Sequence, residues 1–205
     1  MSEDVHYDDY FRHLANRSWR GSLYRRHWLY PRIAKRLRDE TLDLGCGIGD
    51  MLEHRPGTIG VDINPRTVNF CRQRGLPAHQ MEPDRLPFPD ASFDSVLMDN
   101  VLEHIAEPGP VLAEAHRVLR PGGRLVVGVP GRRGWNSDPD HKVFYDERRL
   151  EQRLATAGFA LRELFHTPLV PSAWLDRRLR QYCVFGVFVR NDSDDNCSAT
   201  RIEKR

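Results

Sequence analysis

The run Thr41-Leu42-Asp43-Leu44-Gly45-Cys46-Gly47-Ile48-Gly49-Asp50 constrains this chain more than any other stretch. A short apolar segment carries an acid and is followed by glycines at every second position. Glycine stands where the backbone must approach a ligand closely or adopt positive φ, because a Cβ would clash. At the end of a strand, such a loop turns free amide groups toward a bound molecule, with a helix N-terminus behind them. The pattern points to a nucleotide-type cofactor. Its spacing, D-x-G-x-G-x-G, differs from the G-x-G-x-x-G of dinucleotide sites.

The rest of the chain is long enough to build a domain around that loop. Its 205 residues are 40% apolar and 29% charged, which suits one domain with a core and some additional segments. A net charge of +2 generates no field that would select a polyanionic partner. Three lysines (Lys35, Lys142, Lys204) stand against 28 arginines. That bias reflects either a GC-rich genome or recognition of phosphate and carboxylate groups by forked donors. Cys46, Cys71, Cys183 and Cys197 form no C-x-x-C pair or zinc-ligand spacing. With no apolar run of spanning length and no leader pattern, a reducing cytoplasm is the expected compartment.

Three regions differ in character. Residues 1–40 are basic and aromatic and are expected to form a helical cap, with Pro31 at the start of its last helix. Residues 41–190 alternate strand-like and helix-like segments, the pattern of a parallel sheet covered on both faces. Residues 191–205 are polar and are expected to be a disordered tail. Strands are predicted at Thr41–Leu44, Thr58–Val61, Ala78–Gln80, Phe93–Met98, Arg124–Val129, Ala160–His166 and Tyr182–Arg190. Helices are predicted at Pro108–Leu119 and Asp146–Ala157, the latter closed by Gly158.

Asp62, in Gly60-Val61-Asp62-Ile63-Asn64, would end the second strand. An acid there can accept hydrogen bonds from both hydroxyls of a ribose, while Asn64-Pro65 reads as a helix cap. Two further segments are more distinctive. Asp84-Arg85-Leu86-Pro87-Phe88-Pro89-Asp90-Ala91-Ser92-Phe93-Asp94 precedes the fourth strand, and Leu102-Glu103-His104 follows it. Arg117-Val118-Leu119-Arg120-Pro121-Gly122-Gly123-Arg124-Leu125 leads into the fifth, where Pro-Gly-Gly would stop a helix and turn the chain. Together with the glycine loop, these segments resemble the class I S-adenosylmethionine-dependent methyltransferases of the ubiquinone and menaquinone biosynthesis type.

The resemblance implies an α/β fold: a Rossmann-like, doubly wound, seven-stranded sheet, mostly parallel, with an antiparallel last strand between the fifth and sixth. It implies S-adenosyl-L-methionine as cofactor. Gly45, Cys46, Gly47 and Gly49 would pass under its methionine part, with Asp43 near the ammonium group. Asp62 and Ile63 would flank the ribose. Glu82 would receive the adenine amino group, with Asp84 as a second candidate. Asp99 and Asn100 would lie beside the methyl group. Phe88 reads as a core residue. The N/D-P-P-Y signature of amine methylation is replaced by Asp99-Asn100-Val101-Leu102, so transfer to oxygen is favoured.

Methyl transfer is an in-line displacement that needs alignment, and a base where the acceptor keeps its proton until attack. His104 and His141 are the candidates; each could instead be structural, in a helix or bracing a loop. Asp138, Asp140 and His141 offer too few ligands for an oxygen-rich cation site, so no metal is assigned. Arg12, Arg17, Arg20, Arg25, Arg26, Arg32, Arg36 and Arg38 precede the first strand. A cap over the active site would set them near an acidic acceptor: a small molecule, or a glycan- or lipid-linked group. The same basic-aromatic mixture allows contact with a membrane surface. No nucleic-acid module is present in the sequence. An NAD-dependent oxidoreductase and a cofactor-binding but non-catalytic partner are the rival readings.

Overall fold

In the computed structural model, residues 7, 8, 11, 12, 14, 18–168 and 170–191 are described, so the expected tail lies outside the described residues except for Asn191. Seven strands form one sheet: β1 (Thr41–Leu44), β2 (Ile59–Asp62), β3 (Ala78–Gln80), β4 (Phe93–Asp99), β5 (Leu119–Pro130), β6 (Phe159–Thr167) and β7 (Cys183–Arg190). Their order is β3-β2-β1-β4-β5-β7-β6. The pairs β1–β2, β2–β3, β1–β4 and β4–β5 are parallel, whereas β7 runs antiparallel between β5 and β6. This is the expected doubly wound sheet with its antiparallel last strand. The chain leaves β1 in one direction for β2 and β3 and returns on the other side with β4. The crevice at that reversal is where open α/β sheets bind ligands.

The central strands are apolar because both faces are covered. Val96, Leu97 and Met98 of β4 and Leu125, Val126 and Val127 of β5 are fully buried. On one face, these strands pack with α5 (Gly109–Val118) and α7 (Glu147–Ala155), through Val111, Leu112, Ala115, Leu150 and Leu154. On the other, Leu97, Val126, Cys183, Phe185 and Val187 meet Leu29, Tyr30 and Ile33 of the N-terminal helices and Leu37 just after them.

Those N-terminal helices are continuous: α1 (Trp19–Tyr24), a π-helical turn (Arg25–Leu29) and α2 (Tyr30–Ala34). Pro31 does lie at the start of the last segment, and it explains the wide turn before it. A proline lacks the amide donor and crowds the carbonyl one turn back, and an i→i+5 turn relieves both problems. The remaining helices are α3 (Asp50–His54), α4 (Pro65–Gln73), capped by Asn64, α6 (Arg132–Trp135) and α8 (Ala173–Arg178).

The two distinctive segments turn out to be one structural unit. Arg117 on α5 donates to the carbonyls of Leu86 and Phe88 (3.2 and 2.8 Å) and to the Asp90 carboxylate (2.7 Å). It also pairs with Glu114, which accepts the Leu86 amide. Pro-Gly-Gly acts differently from expectation. The helix already ends at Val118, and residues 120–123 form an excursion within β5, where the register moves from Phe93–Leu119 to Ser95–Arg124.

Candidate active site

The glycine loop leaves β1 with its backbone in the left-handed region. Gly45 has φ +80°, and a Cβ there would lie 2.4 Å from Val101 Cγ2. The loop is tied down from behind: the Gly45 and Cys46 amides donate to the Val61 carbonyl. The Asp62 carboxylate accepts the Gly47 amide (2.9 Å) and the Asn64 amide (2.8 Å). One acid thus joins the glycine loop to the start of α4.

Around the loop the fold collects four carboxylates, Asp43, Asp50, Asp62 and Asp99, with Arg25 set 3.8 Å from Asp99. Asp43 and Asp62 are 4% and 5% exposed, at the ends of adjacent parallel strands. Burial pushes the Asp43 carboxyl well above the usual range, and the neighbouring Asp99, Asp62 and Asp50 add to the shift. Burial also raises Asp62, opposed by the two amides it accepts. A cavity of about 770 Å³ opens beside this group, lined by Asp43, Gly45, Gly47, Asp50, Asp99 and Asn100 on its β1–β4 side. A cradle that admits no Cβ, next to buried acids, suits a ligand carrying positive charge on a compact body. The methionine end of S-adenosylmethionine, with its ammonium and sulfonium, fits that description.

A family model described as "Methyltransferase domain" matches residues 42–127, the segment running from β1 into β5. Residues 42–127 thus carry a methyltransferase-type domain, and the relatives of the chain include S-adenosylmethionine-dependent methyltransferases. Among its relatives is a probable S-adenosylmethionine-dependent methyltransferase of Mycolicibacterium smegmatis, 33% identical over 70% of this chain and 62% of that one. Another is the 27-O-demethylrifamycin SV methyltransferase of Amycolatopsis mediterranei, 30% identical over 64% and 61%. The chain spans 31% to 62% of the length of the first curated relatives it matches. The solved structure of a methyltransferase from Thermotoga maritima shares the fold, with TM-score 0.72, 20% identity and 91% and 99% coverage of the two chains.

Of the residues expected in the methyltransferase site, Asp43, Gly45, Cys46, Gly47, Asp99, Asn100, His104 and His141 line the one cavity. Gly49 does not: a Cβ there would meet Leu76 and Cys71, so it serves helix packing. Asp62 lies behind the loop. Ile63 is 41% exposed, and Glu82 is exposed beyond β3 in an isolated bridge with Arg85. Beside Asp62, the Asn64 side chain donates to the Tyr7 carbonyl, and Asp8 pairs with Arg66. Phe88 packs edge-on against Phe93 and borders the core, as expected.

The two histidines meet at the other end of the cavity, their ring centroids 4.6 Å apart. His104 closes a short 3-10 turn (Leu102–His104) after β4, and His141 lies in the loop after α6. His141 Nδ1 donates to the Trp135 carbonyl (2.7 Å), which leaves Nε2 as the acceptor nitrogen of the neutral ring. Burial and the neighbouring His141 lower the His104 pKa, so it is neutral at physiological pH.

Sequence reasoning missed several residues here. Tyr30, Asp50 and Arg180 line the cavity, and Glu103 stands behind the histidines. Of the eight N-terminal arginines, Arg12 and Arg25 reach the cavity. Arg36 pairs with Glu163, Arg38 donates to the Gly122 carbonyl, and Arg20 and Arg32 stack on Trp19 and Trp28. Arg17 lies outside the described residues.

Proposed function

We infer that this protein transfers the methyl group of S-adenosylmethionine to an oxygen of a small-molecule or glycan-type acceptor. The observation that carries this reading is the polarity of one cavity. Glycine backbone and carboxylates form one end, and a pair of imidazoles, His104 and His141, forms the other. Bound at the first end, the cofactor supplies an electrophilic methyl group on a positively charged sulfur. Asp43 and Asp99 orient its cationic groups, and Gly45 and Gly47 let it lie against the backbone. His104 and His141 promote ionisation of the acceptor hydroxyl. The segment from Gly134 to His141 borders this end and limits water access.

The lining of the cavity supports this acceptor class. Arg12, Arg25 and Arg180 border the cavity and favour an acceptor bearing a phosphate or carboxylate. The relative from Amycolatopsis mediterranei is named for methylation of a demethylrifamycin, which is in keeping with a small-molecule oxygen acceptor. A lipid-linked acceptor would suit the exposed Trp19, Trp28 and Trp174 as surface contacts. Among the described residues, no helix is long and apolar enough to cross a membrane.

The test is transfer of tritiated methyl from the cofactor into a cell extract fractionated into small polar, lipid-linked, protein and nucleic-acid pools. Label in one of the first two pools, lost with Asp43→Asn, is the expected result. Label in protein or nucleic acid would refute the acceptor class, and absence of label from every pool would refute the activity.

A further inference from the structure

Glu103, close behind the cavity, is left unexplained by the mechanism above. It sits in the 3-10 turn between Leu102 and His104, is fully buried, and among the described residues neither carboxylate oxygen has a hydrogen-bond partner on another residue. A buried carboxylate without a partner is costly and is kept only where something else meets it. Its backbone carbonyl is accounted for, accepting the Lys142 and Val143 amides. Those two bonds bring the His141 loop across the turn. His141 Nε2 then lies 3.9 Å from Glu103 Oε1, too long for a hydrogen bond.

His104 completes a cluster. One ligating atom from each of Glu103, His104 and His141 lies within 4.8 Å of the other two. We propose that Glu103, His104 and His141 hold a divalent first-row transition-metal ion at the acceptor end of the cavity.

Bonds of about 2.0–2.2 Å to such an ion would set the donor atoms roughly 3–3.5 Å apart, a contraction that ring rotations can supply. The outer contacts are already those of a metal site. The Trp135 carbonyl fixes His141 Nδ1, turning Nε2 inward, and the Asp140 backbone holds His104. Asp138 Oδ2, 3.9 Å from His141 Nε2, stands by as a fourth, outer carboxylate. Two imidazoles and one carboxylate favour Zn²⁺, Mn²⁺ or Fe²⁺ over Mg²⁺ and Ca²⁺, which take oxygen ligands.

Three ligands on one side leave positions open toward the cavity. On the reading that this is the acceptor end, those positions take the acceptor oxygen, and the ion lowers the pKa of its hydroxyl, the proton passing to solvent. His104 and His141 then act through the ion. The ligand set differs from Asp138, Asp140 and His141, the group weighed and set aside from the sequence, because only the fold shows that Glu103 points inward.

The experiment is calorimetric titration of the chelator-stripped full chain with Zn²⁺ and, separately, Mn²⁺, for the wild type and for His104→Gln, His141→Gln and Glu103→Gln. One ion per chain, bound at least about tenfold more weakly by both histidine variants while their melting temperatures and cofactor affinities hold, is expected. No heat with either ion, or affinities unchanged in both histidine variants, would overturn the proposal. Methyl transfer is assayed separately on the loaded protein. Metal binding without transfer refutes the function above and leaves the site standing, and transfer without metal binding does the reverse.

Discussion

Arg25 Nη1 lies 3.8 Å from the Asp99 carboxylate, joining the π-helical turn of the N-terminal cap to the end of β4. The same guanidinium donates to the Tyr30 hydroxyl (3.4 Å), which donates in turn to Asp50 (3.4 Å). On the proposed site, a residue of the cap therefore supplies positive charge beside the cationic cofactor. Arg25→Met removes that competing charge. Affinity for S-adenosylmethionine should rise relative to its demethylated product by roughly three- to tenfold, the scale of one partly screened charge. Parallel calorimetric titrations with the two ligands check this. An unchanged ratio would show that Arg25 does not feel the sulfonium.

Asp43 makes stability and cofactor binding oppose each other. Its folded-state pKa is raised, so its ionised form is disfavoured in the folded protein. That contribution to stability is fully present below the unfolded carboxylate range and is lost as pH rises through the folded pKa. Asp43→Asn should raise the melting temperature of the ligand-free protein near neutral pH, by roughly 2–4 °C per kcal/mol released. It should also weaken cofactor binding. In the wild type, binding the cationic cofactor should release protons, visible as a buffer-dependent binding enthalpy. Proton uptake, or a lower melting temperature in the variant, would contradict this.

Gly45→Ala tests the cradle. The added methyl meets Val101 and is held at φ +80°, for a combined cost of roughly 2–4 kcal/mol. Urea denaturation should show a midpoint fall with an unchanged slope. Adding Val101→Ala should recover the steric part and leave the backbone part. Full recovery in the double variant would mean that φ carries no penalty.

Arg117→Met should separate structure from chemistry in the family segments. Its bonds to Leu86, Phe88, Asp90 and Glu114 lie on the face of the sheet away from the cavity lining. Loss of these charge-assisted hydrogen bonds should cost about 2–3 kcal/mol of stability and leave cofactor affinity within twofold. A large affinity loss in a folded variant would place Arg117 in the site.

The sequence by itself determined which segments are strands and where the glycine loop leaves the first of them; the order of the strands was legible only through the family resemblance. Thr41–Leu44 and Ala78–Gln80 are strands at their predicted bounds, and the other five begin or end within a few residues of prediction, apart from the early start of β5. Glycine spacing, apolar runs and helix caps are local signals, set by backbone conformation and burial of neighbours along the chain. The excursion at Pro121-Gly122-Gly123 escaped because strand pairing, not helix termination, sets where β5 begins.

Tertiary structure alone decided the rest. It chose Arg12 and Arg25 from eight N-terminal arginines, moved Asp62 behind the loop it braces, and turned Glu103 inward beside His104 and His141. No periodicity encodes those choices. They depend on which side chains the crossover between β1 and β4, and the loop folded back over the 3-10 turn, bring within a few ångströms of each other.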